Sequence, residues 1–307
     1  MNGDFTTLET IEDLIRWGAS SFDAEGLFFG HGTDNALDES AALVFHALNL
    51  QYDIPAEYLQ NRPSDKEKAA ILELLQRRVD ERKPAAYLTN KTYFSGLQFY
   101  VDESVLVPRS PIAELIENGF APWIDPERVT NVLDMCSGSG CIGIACAYSF
   151  PQAEVDLIDI SPDAIKVADK NIQLHKVQSR VTAIQSDLFT RLDAKRYDVI
   201  VSNPPYVSSA EMLELPQEYH QEPALGLEAG DTGLDIVIPM LQQASSYLKP
   251  DGIIVVEVGL SADALQERFT RVPFLWLEFE RGGEGVFMLT AEQLLEYRTF
   301  FCADKES

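Results

Sequence analysis

Four consecutive residues, Asn203, Pro204, Pro205 and Tyr206, combine groups that could hold a planar NH₂ group. They directly follow an apolar run that predicts a buried strand. The two prolines fix φ and remove two N–H donors, so the turn is stiff. The side-chain oxygen of Asn203 and the carbonyl oxygen of Pro204 could then accept both N–H bonds, while Tyr206 lies against the planar group. As a bare tetrapeptide, however, the motif is more typical of a rigid surface turn.

Residues 134–143 read Asp-Met-Cys-Ser-Gly-Ser-Gly-Cys-Ile-Gly and connect a predicted strand, 129–134, to a helix predicted from about Gly140. Small residues let a ligand approach the backbone closely, and the start of a helix offers free N–H groups. Asp159 ends the next predicted strand, where a carboxylate can accept from both hydroxyls of a ribose. The arrangement fits a dinucleotide, S-adenosylmethionine, or a tight turn without any ligand.

Two features favour S-adenosylmethionine over a dinucleotide. Asp134 directly precedes the glycines, where a carboxylate suits a cationic ligand better than a pyrophosphate. The turn at Asn203 would polarise an amide NH₂ group and hold its nitrogen in line with a donor methyl group. Asp187, after the third predicted strand, could accept from an adenine amino group with Leu188 beside the ring, although an Asp at this position is also a common helix cap.

The region after residue 110 alternates predicted strands with predicted helices, which indicates an α/β fold with a doubly wound, mostly parallel sheet. Two further strands near the end of the chain are separated by a short Gly-rich link and predict an antiparallel pair. The predicted strands span residues 129–134, 154–159, 181–185, 198–202, 252–258, 274–279 and 285–289.

The first part of the chain shows helical patterns, including a capping box formed by Ser64 and Glu67. Short β-rich runs around Ser95 and Gly96 then predict a hairpin. We therefore predict a helical domain, a β-hairpin linker and an α/β domain; the family resemblance described below implies that the first recognises the substrate and that the last binds S-adenosylmethionine and is catalytic. Their predicted bounds are 1–90, 91–109 and 110–307.

The chain has 307 residues, with 24 Lys and Arg against 49 Asp and Glu, and therefore a net charge of −25. This charge disfavours binding to a phosphate backbone and favours a basic partner. Residues 1–5 show no signal-peptide pattern, and no apolar run approaches the ~20 residues of a membrane span. The four cysteines and four scattered histidines form no zinc pattern. We expect no metal and a reducing, cytoplasmic compartment.

Together these features resemble the glutamine-specific class I methyltransferases that use S-adenosylmethionine. Segments 107–116, 133–141, 215–223 and 276–290 resemble the branch that methylates large-subunit ribosomal protein number three. The resemblance covers nearly the whole chain. It implies a seven-stranded sheet whose last strand is antiparallel, a small helical N-terminal domain, and S-adenosylhomocysteine as a product. It also implies a basic ribosomal protein as the partner, with no direct binding of nucleic acid or membrane.

The resemblance implies a place in the site for thirteen residues and makes Glu222 a further candidate whose role stays open. Arg109 is expected near the mouth of the site, with an ordinary salt bridge as the alternative, and the same applies to Glu222. Leu188 stands where the release-factor branch often carries Trp, so ring stacking is not implied here. Residues expected to bind the donor are Asp134, Ser137, Gly138, Ser139, Gly140, Asp159, Asp187 and Leu188. Residues expected to bind the glutamine amide are Asn203, Pro204, Pro205 and Tyr206, of which Asn203, Pro204 and Tyr206 are the predicted catalytic residues.

Four alternatives stay open at this point. A release-factor glutamine methyltransferase would share the chemistry, but the segment Arg109-Ser110-Pro111 argues against it. A DNA adenine methyltransferase shares the Asn-Pro-Pro-Tyr motif, but the net charge of −25 disfavours DNA binding. The glycine pattern also permits an NAD-dependent oxidoreductase. A ribosome-assembly factor that binds without catalysis is the fourth.

Overall fold

A computed structural model describes residues 7–302, so the predictions made for residues 1–6, including the N-terminal segment, and for residues 303–307 lie outside the described part. The chain divides into two units. The helical unit contains the residues up to Thr92 together with Pro216–Gln221. The sheet unit contains Tyr93–Leu215 and the residues from Glu222 onwards.

The helical unit is built from four helices around one apolar cluster, which includes Leu14, Phe22 and Leu43. The helix that spans Asp65–Glu81 begins at the predicted capping box. The Ser64 side chain accepts from the Glu67 N–H, and the Glu67 carboxylate accepts from the Ser64 N–H. The helices are α1 (Ile11–Ala24), α2 (Ala36–Ala47), α3 (Asp65–Glu81) and α4 (Ala85–Thr89).

A cluster of ion pairs is buried inside the helical unit. The Arg78 guanidinium, with no exposed side-chain surface, contacts Glu39 at 3.0 Å and Glu218 at 3.6 Å. Arg82 lies 3.2 Å from the same Glu218 carboxylate. Buried charges persist when each has an opposite charge and hydrogen-bond partners, so this cluster is a structural feature of the helical unit.

The predicted hairpin near Ser95 is formed by β1 (Thr92–Phe94) and β2 (Leu97–Phe99). Ser95 and Gly96, which connect the strands, have φ values of 47° and 72°. Two successive residues with positive φ are typical of the tight turns whose twist matches that of the strands.

The sheet unit contains a seven-stranded sheet, as predicted, in the order β5-β4-β3-β6-β7-β9-β8. The strands β3 to β7 pair in parallel, and β9 is antiparallel to both β7 and β8. The predicted strand 274–279 is shortened to two residues. The strands are β3 (Asn131–Met135), β4 (Glu154–Asp159), β5 (Val181–Gln185), β6 (Tyr197–Ser202), β7 (Leu248–Glu257), β8 (Leu275–Trp276) and β9 (Val286–Thr290).

Helices cover both faces of this sheet, so its central strands are buried on both sides. Val155 and Val199 face one apolar cluster, and Ile158 and Ile200 face the other. The carboxyl ends of parallel strands meet at one edge, which is where the predicted site residues lie in sequence. The helices are α5 (Ile112–Glu117), α6 (Cys141–Ser149), α7 (Pro162–His175), α8 (Ser209–Met212), α9 (Val237–Ala244), α10 (Ala262–Arg268), α11 (Ala291–Glu296) and α12 (Arg298–Cys302).

Across residues 7–302, we find no helix with both the length and the apolar character that crossing a membrane requires.

Candidate active site

A cavity opens at the carboxyl ends of β3, β4, β6 and β7, and it is lined by residues of the sheet unit. Eleven of the thirteen predicted site residues line this cavity; the two that do not are Asp134 and Gly140. Ser110, Cys136 and Glu257 also line it, although sequence reasoning did not select them. The eleven are Arg109, Ser137, Gly138, Ser139, Asp159, Asp187, Leu188, Asn203, Pro204, Pro205 and Tyr206.

The glycine loop that follows β3 turns sharply before α6. Cys136, Gly138 and Gly140 all have positive φ, and the Ser137 N–H donates to the Ile158 carbonyl oxygen at 2.9 Å. A Cβ on Gly140 would lie 2.8 Å from the Leu157 side chain, so this glycine permits close packing of the loop on β4. A Cβ on Gly138 would meet no protein atom within 4 Å, which leaves space for a ligand beside the backbone.

Asp159, at the end of β4, lines the cavity beneath this loop. One carboxylate oxygen accepts from the Gly138 N–H at 2.8 Å and the other from the Ser161 N–H at 2.9 Å. Burial raises the pKa of Asp159 above its usual range. The hydrogen bonds from the Gly138 and Ser161 N–H groups lower this pKa and offset only part of the effect.

Asp134 lies near the end of β3 but does not line the cavity, and its contact with the donor stays a prediction. Its side chain is fully buried and points toward α6, where it accepts from the Gly143 N–H at 2.8 Å. The oxygen that accepts from Gly143 faces the first turn of α6, whereas the other carboxylate oxygen is buried without a hydrogen-bond partner among residues 7–302. Burial, with a smaller effect from the nearby Asp159 charge, raises the pKa of Asp134 to about 8. Gly140 packs against Leu157, and its contact with the donor also stays a prediction.

Asp187 and Leu188 follow β5 and line the cavity. Asp187 is exposed to solvent. Leu188 has a φ of 45°, a left-handed conformation that is unusual for a residue with a side chain. The Ser186 hydroxyl stabilises this conformation by donating to the Leu188 carbonyl oxygen at 2.9 Å.

Asn203 follows β6, which the Ser202 hydroxyl ties to β3 through a 2.6 Å hydrogen bond to the Met135 carbonyl oxygen. The Asn203 side-chain oxygen is buried and accepts no hydrogen bond from any residue of the described chain. The Ser137 hydroxyl, which follows the neighbouring strand β3, is also buried without a partner among residues 7–302. Buried polar atoms are normally paired, so these two atoms mark places where a ligand group is expected.

Tyr206 is fixed by several contacts. Its hydroxyl donates to Glu257 at 3.0 Å, and its carbonyl oxygen accepts from the Ser261 hydroxyl at 2.8 Å. The Ser110 hydroxyl donates to the second oxygen of Glu257. Burial raises the pKa of Glu257, and the hydrogen bonds from Ser110 and Tyr206 offset part of this effect. The sequence signal for Glu257 was an acid at the carboxyl end of an apolar strand.

Arg109 forms a bidentate pair with Glu222, with distances of 2.6 and 2.7 Å. The same Glu222 carboxylate accepts from the Val107 N–H at 2.9 Å. The Glu222 side chain has no exposed surface, whereas the Arg109 side chain is 27% exposed and lines the cavity. Arg109 therefore lines the cavity and also forms a salt bridge, and its contact with the substrate stays a prediction.

Comparison with known proteins identifies the family. A family model described as the methyltransferase small domain matches residues 120–221. The chain is 47% identical over 295 residues to the ribosomal protein uL3 glutamine methyltransferase of Francisella tularensis subsp. tularensis (strain SCHU S4 / Schu 4), covering 96% of this chain and 94% of that protein. The chain belongs to the uL3 glutamine methyltransferase family.

A second relative, the ribosomal protein uL3 glutamine methyltransferase of Xanthomonas campestris pv. campestris, is 50% identical over 291 residues and covers 94% of each chain. Among solved structures, the hMettl16 catalytic domain in complex with MAT2A 3′UTR hairpin 1 matches with a TM-score of 0.50 and 15% identity. The match covers 81% of this chain and 89% of that one. At this identity the structural match concerns the fold alone, and the two sequence relatives carry the assignment to the uL3 glutamine methyltransferase family.

Proposed function

We propose that this chain transfers a methyl group from S-adenosylmethionine to the side-chain amide nitrogen of a glutamine in ribosomal protein uL3. The observation that carries the proposal is the Asn203 side-chain oxygen, which is buried at the cavity without a partner in residues 7–302. Leaving a buried acceptor unpaired costs about 1–3 kcal/mol, and a substrate NH₂ group would remove that cost. Two relatives at 47% and 50% identity bear the name of this activity.

S-adenosylmethionine, when bound, supplies an electrophilic methyl group on a positively charged sulfur. The residues of the cavity suit such a ligand. Gly138 leaves open space beside its backbone, and Asp159 offers carboxylate oxygens toward a ribose. Asp187 is placed to accept from an adenine amino group, and Leu188 offers an apolar surface beside the ring. In this proposal Asp134 supports the loop from behind, through its bond to Gly143.

The opposite side of the cavity would hold the glutamine amide. We assign the two acceptors to the Asn203 side-chain oxygen and the Pro204 carbonyl oxygen, and we place Tyr206 against the amide plane. Two acceptors fix the direction of the NH₂ group and increase the electron density on its nitrogen. Since no side-chain nucleophile is needed, positioning and fixed dipoles supply most of the rate enhancement.

We further propose that the N-terminal helical domain, residues 1–90, contributes to recognition of uL3, with 91–109 as a linker and 110–307 as the catalytic domain. The net charge of −25 favours a basic ribosomal protein over nucleic acid as the partner. Association should therefore slow as salt is added. Because ribosomal proteins are assembled in the cytoplasm, we place the enzyme there, and fractionation of cells would check this.

The decisive experiment offers purified uL3 and a purified release factor to the enzyme in separate reactions with labelled S-adenosylmethionine. We expect label in uL3, and a mass increase of one methylene group on one glutamine-containing peptide. Label in the release factor with none in uL3 would overturn the proposed substrate. Calorimetry with S-adenosylhomocysteine and with NAD, each against the same protein, tests the cofactor separately; binding of NAD alone would contradict the proposal.

A further inference from the structure

Glu257 occupies a defined position beside the proposed amide site. It is the last residue of β7, and the preceding Val256 pairs with Ser202, the last residue of β6. Glu257 therefore lies on the neighbouring strand at the level of Asn203. Its side chain is buried and lines the same cavity.

The Glu257 carboxylate receives two hydroxyl groups, one on each oxygen. Tyr206 donates to one oxygen at 3.0 Å, and Ser110 donates to the other. Each hydroxyl needs an acceptor in this buried position, and a carboxylate supplies two acceptors side by side. Ser110 belongs to the segment 107–116, so the structure gives that segment a contact with the site.

Tyr206 has little freedom apart from its hydroxyl contact. The Gly259 Cα lies so close to the Tyr206 ring that a Cβ there would be 2.5 Å from it. A Cβ on Gly233 would overlap the Tyr206 carbonyl oxygen, which also accepts from Ser261. One face of the ring and the backbone are thus fixed by packing, and the far end of the ring is fixed by Glu257.

We propose that Glu257 is a positioning residue, which holds the Tyr206 ring against the substrate amide by accepting from its hydroxyl while Ser110 keeps the carboxylate in place. The inference rests on the proposed function, because it gives Tyr206 its role toward a planar amide. Both carboxylate oxygens are already engaged, so Glu257 acts through Tyr206 rather than on the amide itself. Glutamine, which keeps one oxygen acceptor, should therefore replace Glu257 better than alanine.

The test combines Glu257→Gln, Glu257→Ala and Tyr206→Phe with the double variant Tyr206→Phe/Glu257→Gln. We expect kcat to fall about 10- to 100-fold in Glu257→Ala and less in Glu257→Gln. In the Tyr206→Phe background, Glu257→Gln should cause no further loss in kcat beyond about twofold. The affinity for S-adenosylhomocysteine should stay within about threefold in all variants, because Glu257 lies on the amide side.

Tyr197 and Asp156 provide a matched control. The Tyr197 hydroxyl donates to Asp156 at 2.8 Å in the same sheet, and neither residue lines the cavity. Asp156→Asn should leave kcat within about twofold of the wild type, since the pair is remote from the site. Independent, multiplying losses from Tyr206→Phe and Glu257→Gln would overturn the inference, as would equal losses in the Gln and Ala variants.

A failure of the proposed function can be distinguished from a failure of the inference about Glu257. If the wild type methylates no glutamine of uL3, the proposed function fails, and the crystal structures of the wild type and Glu257→Ala still test the inference. Several orientations of the Tyr206 ring in Glu257→Ala would support positioning by Glu257. A single, unchanged orientation would overturn it.

Discussion

In the helical unit, the buried carboxylates of Glu39 and Glu218 lie against guanidinium groups. Near the carboxyl ends of β3, β4 and β7, by contrast, Asp134, Asp159 and Glu257 accept hydrogen bonds only from N–H and O–H groups. The first arrangement neutralises charge within the fold. In the second arrangement, burial raises the pKa of all three acids. A cationic ligand would stabilise the ionised forms of these three acids. The ion pairs of the helical unit are therefore structural, whereas the acids near the strand ends suit a sulfonium ligand.

Glu222 qualifies this comparison within the sheet unit. It is fully buried at the cavity side, but Arg109 forms two hydrogen bonds with it. Asp134, Asp159 and Glu257 therefore differ from Glu222, because no Lys or Arg of residues 7–302 donates a hydrogen bond to them. The predictions below test the two arrangements in order of the expected effect.

Removing the central cation of the helical unit should have the largest effect. Arg78→Met leaves Glu39 and Glu218 buried, with Arg82 alone beside Glu218, and we expect the free energy of unfolding to fall by about 3–5 kcal/mol. Urea unfolding followed by circular dichroism measures it. The control is Arg77→Met on the same helix, whose pair with Glu81 is exposed to solvent and should contribute about 0.5 kcal/mol or less. Equal losses in both variants would contradict the structural role of the cluster.

Removing the unpaired acceptor at the cavity should have the next largest effect. Asn203→Ala is expected to lower kcat by about 10²–10³-fold, as for the loss of a positioned hydrogen-bonding group in an active site. The affinity for S-adenosylhomocysteine, measured by calorimetry, should change little, because Asn203 lies on the amide side. A large loss of donor affinity in this variant would refute the division of the cavity into two sides.

Removing the charge of Asp159 tests whether an acid without a cationic partner selects a cation. Asp159→Asn keeps one oxygen for the Gly138 N–H of the loop, while the Ser161 N–H loses its side-chain acceptor. We expect S-adenosylhomocysteine to bind about tenfold more weakly, because ribose contacts to a charged acceptor are lost. S-adenosylmethionine, with its charged sulfur, should lose more affinity than its neutral product.

The control for this experiment is Asp163→Asn, an exposed acid near the start of α7 that pairs with Lys166. Its effect on both affinities should be negligible, since exposed pairs are well solvated. Equal losses for the charged donor and the neutral product in Asp159→Asn would show that hydrogen bonding, rather than charge, explains the contribution of this residue.

Much of the fold could be predicted because its signals are local. The strands 154–159 and 181–185 have the predicted bounds, since runs of apolar residues are bounded there by turn or capping residues. The glycine loop and the Asn-Pro-Pro-Tyr turn are contiguous, so sequence alone brings their groups together. The parallel order of the strands then carries both segments to one edge of the sheet.

What could not be predicted depends on contacts between distant segments. Glu39, Arg78 and Glu218 belong to three separate parts of the chain, and no periodicity relates them. Glu257 and Ser110 meet across 147 positions. The contact of Asp134 with α6 could not be predicted for a related reason, because the face to which a strand residue points depends on the register of the sheet and on the helix that covers it.

Asp134 gives an effect of a different kind, which is a slope of stability with pH. Its pKa is raised to about 8 in the folded protein, so between the unfolded value of 3.8 and about 8 the folded state holds the extra proton. The free energy of unfolding should therefore decrease as the pH rises through this window, by about 1 kcal/mol or less per pH unit after other groups are included. Asp134→Asn, which keeps an oxygen for the Gly143 N–H, should flatten the slope. Urea unfolding at pH values from 5 to 8 measures both proteins, and parallel slopes would mean that Asp134 is ionised in the folded state.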